Sequence, residues 1–389
     1  MVRLSRIQID RVYLADVLTW RWWLPSCFYI PQSCMYSVLA LPRRGEAIAY
    51  SYLLIMVSGG GARVAAAILA LSSLLAASFV GLAQQQQLRR NYYAGVCPDV
   101  ESIVRGAVAK KYRETFITAG ATVHLFFHDC FVEGCDASVL VASTPNNTAE
   151  KDHPANLVGL AGDGFDTVLR ARAALDAVPR CRGKVSCADV LALATRDAVA
   201  LAGGPAYAVE LGRLDGLRST AASVDGRLAP PSSDLDQLTA LFARNGLSRD
   251  DMVALSAGHT VGFAHCAAFA GRAARGGAGG EPAMNRSLAA RVREWCPDGV
   301  DPRVAVAMDV VTPRVFDNQY FRNLQSGMGL LASDQVLYTD PRSRPTVDAL
   351  ARSADAFHRA FVAAITKMGR IGVKTGAQGN IRRSCAVLN

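Results

Sequence analysis

Residues 122–138 read TVHLFFHDCFVEGCDAS, a stretch that starts with helical spacing and finishes in a short loop bracketed by two cysteines. His124 and His128 stand four apart, which puts them on one face of a helix. Directly after them come Asp129 and Asp136, with Gly134 between and Ser138 beyond, an oxygen-rich set suited to a hard cation such as calcium. Cys130 and Cys135 are placed to close a small loop across that set. A histidine held at a helix end by a stapled ion site is a candidate acid/base group. The rival is a zinc pair of HxxxH type. It is disfavoured, because no third ligand is spaced to suit and the catalytic Glu of a zincin is missing.

Working outward, the chain has 389 residues, 51% of them apolar, enough for a large core in one or two domains. The net charge of +9 is spread without a basic run, so nucleic-acid binding is not expected. Residues 1–55 hold three of the four tryptophans (Trp20, Trp22, Trp23) and no sustained period; they are expected to be an N-terminal extension outside the fold. Residues 56–83 combine one arginine, a long uncharged apolar run and small residues at Gly81 and Ala83, the layout of a secretory signal peptide cleaved before Gln84. The run from Val64 to Ala83 would also span a bilayer as a retained anchor. The polar Gln run directly after the small-residue exit favours cleavage.

The mature part is then residues 84–389. Residues 1–83 hold seven Arg, no Lys and three acids, so +5 of the net charge belongs to the mature part. It keeps Cys97, Cys130, Cys135, Cys181, Cys187, Cys266, Cys296 and Cys385. An even count behind a signal peptide implies oxidised pairs in an extracellular setting, with on the order of 100 pairings open to sequence alone. The sequons Asn146-Asn147-Thr148 and Asn285-Arg286-Ser287 fit a glycosylated, secreted chain.

Apolar residues at spacings of three and four predict helices over Val100–Tyr112, Gly164–Val178, Ser186–Ala202, Asp234–Asn245 and Ala354–Met368, parted by loops such as Gly203-Gly204-Pro205, Ala229-Pro230-Pro231 and Gly276–Pro282. Tyr207–Leu211 is a brief strand candidate. A second histidine stretch, DDMVALSAGHTVGFAHC (250–266), predicts a helix from Met252, Val253 and Leu255, with Gly258 clearing space beside His259. Taken by itself, His259 reads as a packed histidine. Asp309, Thr312 and Asp317 form a second possible oxygen site, and Asp334 lies in an apolar context where a buried acid needs a partner.

In order and spacing these pieces resemble the secreted plant haem peroxidases (class III) over residues 88–389. The matching stretches are FFHDCFVEGCDAS, EKDHPAN, VSCADVLALATRD, LAGGP, LGRLDG, LSAGHTVG, TPRVFDNQYF, GLLASDQ, FVAAITKMG and GNIRRSC. The resemblance implies a mainly α haem peroxidase fold, two helical halves sandwiching haem, with minor short β-structure. It implies haem b and two Ca2+ as cofactors, and hydrogen peroxide with small phenolic donors as substrates. It also implies a monomer exported to the cell wall, with no stable membrane association once the signal is removed. The stop four residues after Cys385 is expected to mean that no vacuolar extension follows.

Residue by residue, His259 matches the proximal iron ligand and Asp334 the buried acid that accepts its other ring proton. His128 matches the distal histidine that moves the peroxide's proton. Asn156 matches the residue that orients His128, and Glu150 the acid tying that network to the distal ion. The distal calcium site maps to Asp129, Val132, Gly134, Asp136 and Ser138, and the proximal one to Thr260, Asp309, Thr312, Val315 and Asp317. Asp189 and Arg213 match a structural ion pair. The implied disulfides are Cys97–Cys181, Cys130–Cys135, Cys187–Cys385 and Cys266–Cys296. Ala229 and Pro230 fall at the donor entrance, Ala229 where the family has Pro, and Met308 stands where the family often has Phe.

One departure is consequential. His124 occupies the place of the family's distal arginine, four residues before the distal histidine. Arginine presents a permanent forked charge to the breaking O–O bond, whereas histidine is shorter and its charge depends on pH. The expectation is a peroxidase that oxidises phenols in one-electron steps and reacts slowly with peroxide. The alternative is a haem-binding cell-wall protein with little or no turnover.

Overall fold

A computed structural model describes residues 88–276, 282–301 and 303–389. The expected extension (1–55) and signal peptide (56–83) lie outside the described residues, as does most of the Gly276–Pro282 loop. Among the described residues there are thirteen α-helices and four strands of two or three residues.

The first group of helices is α1 (Val100–Glu114), α2 (Ile117–Val132), α3 (Pro154–Gly159), α4 (Gly162–Asp176) and α5 (Cys187–Leu201). α1 is amphipathic, burying Val100, Val104, Val108 and Lys111, and it packs with α2 onto α4 and α5. α2 has no charged residue before Asp129 and is buried on nearly every face, as expected of a central helix that is apolar all round. Beyond Ile117 at its start, only His124 and Phe127 of α2 keep accessible surface. These two border a space. α5 starts where the Ser186 side chain accepts from Asp189 N, satisfying one of the orphan amides of the first turn.

The second group comprises α6 (Leu235–Arg244), α7 (Arg249–Ser256), α10 (Gln319–Gln325), α11 (Ala332–Thr339), α12 (Arg344–Arg352) and α13 (Ala354–Met368). α6 and α7 each begin in a capping box, Asp234 with Gln237 and Ser248 with Asp251. α7 packs on α13, and α12 on α10, α11 and α13. A tight turn at Ala257–Val261, carrying His259, joins the two groups by touching α2, α7 and α10. Its approach to α2 depends on Gly120, where an added Cβ would collide with Val261 O. A smaller cluster contains α8 (Ala270–Arg275), α9 (Arg286–Trp295) and the antiparallel pair β2 (Phe263–His265) and β3 (Ala305–Ala307).

The five helices anticipated from spacing are present, with ends shifted by at most two residues. Tyr207–Leu211 is not a strand: only Leu211 pairs, in an isolated bridge with Arg89. Its alternation arises because Val209 and Leu211 face the core rather than because a partner strand lies alongside. Gly258 clears space for α2 rather than for His259 itself, since an added Cβ would meet Val123 at 3.2 Å.

The eight cysteines form Cys97–Cys181, Cys130–Cys135, Cys187–Cys385 and Cys266–Cys296. Asp189 and Arg213 are buried and 2.9 Å apart, and Arg213 also donates to Gly369 O beyond α13. Residues 369–385 return to the first group. β4 (Gly379–Asn380) pairs with β1 (Asp215–Gly216), Cys135 N donates to Ile371 O at 2.9 Å, and Arg382 Nη2 donates to Ala137 O at 2.6 Å.

Candidate functional site

Three imidazoles face the space beside α2. His128 lies one turn beyond His124, with ring centroids 4.3 Å apart and planes at 90°. Opposite them, His259 is enclosed by protein, yet 35% of its side-chain surface is accessible. It borders an internal opening instead of packing against neighbours. Gly159 closes one wall, where an added Cβ would lie 3.5 and 3.6 Å from the Cε1 atoms of His124 and His128.

Hydrogen bonds fix the tautomers. Asn156 Nδ2 donates to Glu150 O at 2.7 Å, a carbonyl that can only accept, so Asn156 Oδ1 is the atom 2.7 Å from His128 Nδ1. Nδ1 therefore carries the proton and Nε2 keeps its lone pair. Burial lowers His128 to about 4, against the opposing pull of Asn156; the ring is a neutral base at neutral pH. His259 Nδ1 lies 2.8 Å from Asp334 Oδ1. Burial opposes a charge on His259, but the Asp334 carboxylate outweighs it and raises the pKa. With Nδ1 committed to the acid, Nε2 is the nitrogen left to bind a metal.

His124 is held differently. Burial first, then the neighbouring charges of His128 and His259, drive it well below the ordinary imidazole value, opposed by a hydrogen bond to the Gly159 backbone. Its ring is neutral. Among the described residues no group of three or more His, Cys, Asp or Glu side chains is arranged to hold a metal ion, so the His124–His128 pair has no third side chain to complete a zinc site.

Below His128, the loop after α2 gathers Asp129, Asp136 and Glu150, all buried. Burial, and next Asp136, push Asp129 well above the carboxylate range; burial likewise raises Asp136 and takes Glu150 up to about 8. Ser138 Oγ donates to Glu150 Oε2 at 3.1 Å. Ala137 takes a left-handed φ of 57°, held by its N–H on Asp129 Oδ2 (2.9 Å) and its carbonyl on Arg382. Gly134, φ +104°, is pressed against Gly372, so a side chain there would collide. Val132 is buried at the end of α2, where its contribution could come only from its carbonyl. Two of these carboxylates, Asp129 and Asp136, with the Ser138 hydroxyl and neighbouring carbonyls, make a donor set suited to a hard divalent cation, and Glu150 stands behind it through Ser138 Oγ.

On the other side, Thr260 Oγ1 lies 3.1 Å from Asp309 Oδ2 and 3.3 Å from Val315 O. Thr312 Oγ1 lies 3.3 Å from Asp309 Oδ2 and 3.1 Å from Asp317 Oδ1. Two hydroxyl protons cannot satisfy all these acceptors. The surplus of oxygen suits a second hard cation, with hydroxyls and a carbonyl supplementing two carboxylates.

Ala229 packs on the core edge and Pro230 is exposed, in the loop before α6. Met308 is buried, its Sδ facing the turn at Gly262. Nothing in the sequence marks Tyr320 beyond its place in TPRVFDNQYF. Tyr320 OH donates to Asp334 Oδ1 at 2.8 Å, a partnership across fourteen residues. The backbone of Gly159 was likewise missed; a carbonyl acceptor leaves no mark in a sequence.

The peroxidase family model matches residues 104–353. Over 305 residues, 78% of this chain and 92% of each relative, the chain is 60% identical to Peroxidase 50, 58% to Peroxidase 51 and 57% to Peroxidase 73, all of Arabidopsis thaliana.

Proposed function

The chain belongs to the class III plant peroxidases and is an enzyme of that kind; from that premise we propose that it reduces hydrogen peroxide slowly, owing to His124, and oxidises small phenols in one-electron steps. The observation that carries this is the opposed pair of oriented imidazoles, His128 fixed through Nδ1 by Asn156 and His259 fixed through Nδ1 by Asp334. Each leaves Nε2 directed to chemistry. Haem b, ligated by His259 Nε2, would supply the two-electron reduction of peroxide and take the electrons back from donors one at a time.

The residues of the chain handle protons and position. His128 Nε2, with its lone pair free, is the base that would take a proton from one oxygen of hydrogen peroxide and return it to the other as water leaves. Asn156 holds the proton on Nδ1, so that Nε2 is the nitrogen that accepts and releases. Asp334 draws on the His259 Nδ1 proton and so increases the ring's donor strength. His124, neutral and bonded to Gly159, offers no fixed positive charge to the departing oxygen. Losing one such group typically costs on the order of 10²–10³ in rate.

Calcium would be held by Asp129, Val132, Gly134, Asp136 and Ser138, with Glu150 tying the site to Asn156, and by Thr260, Asp309, Thr312, Val315 and Asp317. Phenolic donors would enter by Ala229 and Pro230. Residues 56–83 act as a signal peptide, residues 84–389 leave the cell as a monomer for the wall, and residues 1–55 are no part of the mature protein. Among the described residues no helix is long and apolar enough to cross a membrane. Finding peptides from residues 1–83 in the protein recovered from cell walls would overturn this processing.

The test is to load the protein with haem and calcium, add peroxide and then a phenol, and follow the Soret band. A peroxide-dependent change reversed by the phenol supports the proposal. An inert ferric spectrum supports the second reading, a haem-binding cell-wall protein with little turnover, which the neutral His124 favours.

A further inference from the structure

His259 Nδ1 and Tyr320 OH approach the same atom, Asp334 Oδ1, each at 2.8 Å. The acid and the tyrosine are both 3% exposed, so water does not dilute either bond. The rings of His259 and Tyr320 are 6.2 Å apart and nearly perpendicular; the hydroxyl reaches the imidazole only through the carboxylate. Two donors on one oxygen share its negative charge, and each weakens the pull on the other.

We infer that Tyr320 is a positioning residue that limits the basicity of Asp334 toward His259, and thereby limits how much imidazolate character the proximal ligand acquires. Tyr320 OH is the donor of its bond to Asp334, because the carboxylate can only accept. Its place is set by its surroundings. Asn318 Nδ2, at the start of α10, donates to the Leu350 and Ala351 carbonyls, and the Tyr320 ring packs edge-on against Phe321 at 5.2 Å. Removing the hydroxyl leaves Asp334 with one strong donor, draws the Nδ1 proton closer to the acid and strengthens the bond from His259 to iron.

The inference rests on the proposed haem site, and the experiment separates the two. Wild type and Tyr320→Phe are loaded with haem, reduced, and compared by resonance Raman for the iron–histidine stretch and by spectroelectrochemical titration. The variant should show the stretch at higher frequency and a ferric-to-ferrous ratio shifted on the order of tenfold toward ferric at fixed potential. In an Asp334→Asn background, Tyr320→Phe should shift neither. An iron–histidine band in wild type that is unmoved by Tyr320→Phe overturns the inference and leaves the haem site standing. Absence of any such band overturns both. Should Tyr320→Phe fail to fold, 3-fluorotyrosine at position 320, a stronger donor of the same shape, must move the band to lower frequency; an unmoved band again overturns the inference.

Discussion

Replacing His124 with Arg should accelerate the reaction with peroxide by on the order of 10²–10³, about 2.7–4 kcal/mol of transition-state stabilisation. An unperturbed imidazole is about one-quarter protonated at pH 7. Burial, then the charges of His128 and His259, take His124 well below that, so the native pocket presents a neutral ring where a guanidinium would be permanently charged. The wall beside the ring is the Gly159 backbone, and its carbonyl can accept from a guanidinium as it does from the imidazole. The assay is stopped-flow mixing of haem- and calcium-loaded protein with peroxide at pH 7, reading the second-order rate of the Soret change. Mild acidification of wild type should not substitute for the mutation, since His124 resists protonation. A His124→Arg protein with intact haem binding and an unchanged rate would refute the argument that the missing charge limits the enzyme.

Asn156→Val leaves His128 Nδ1 without its acceptor, and should lower the same rate about 10–100-fold while haem content stays constant. Because burial lowers His128 to about 4, the acid limb of the rate profile should titrate near that value, well below an ordinary imidazole. The unfolded chain binds that proton at higher pH than the folded one, so this residue also makes stability fall as pH drops from about 6.5 toward 4, measurable as Tm. Calcium removal should reverse the pH trend at the other end. Asp129, Asp136 and Glu150 have raised pKa values, Glu150 to about 8; the folded state holds their protons more tightly than the unfolded, and chelator-treated protein should lose Tm as pH rises from the carboxylate range to about 8. With calcium bound that loss should disappear, and an identical slope with and without the ion would contradict the distal assignment.

Much of this architecture is legible in the sequence, for reasons that differ from place to place. α2 shows in the sequence because it lacks charge until Asp129 and spaces its histidines by four. α13 shows because its apolar residues keep strict helical spacing over Ala354–Met368. Tyr207–Leu211 misled because alternate burial against a helical core imitates the period of a paired strand. Within the site, Asp334 carried a chemical identity that asked for a partner, and Asn156 was marked only by the resemblance. Tyr320 asked for none, since a tyrosine beside Phe321 is equally well explained by packing, and its partner lies on α11 while Tyr320 lies on α10. The state of His124 was legible only in part: its neighbour His128 was visible four residues on, but its burial and the reach of His259 required the fold.

The return of residues 369–385 to the first group of helices has a consequence for biosynthesis. Glu133 O, Cys135 N and Ala137 O are partnered by Lys374, Ile371 and Arg382, and Cys187 waits for Cys385. A ribosome delivers those partners last. The loop beside His128 therefore cannot lock until translation of this region is over, and any nascent chain halted before Ile371 is left unlatched there.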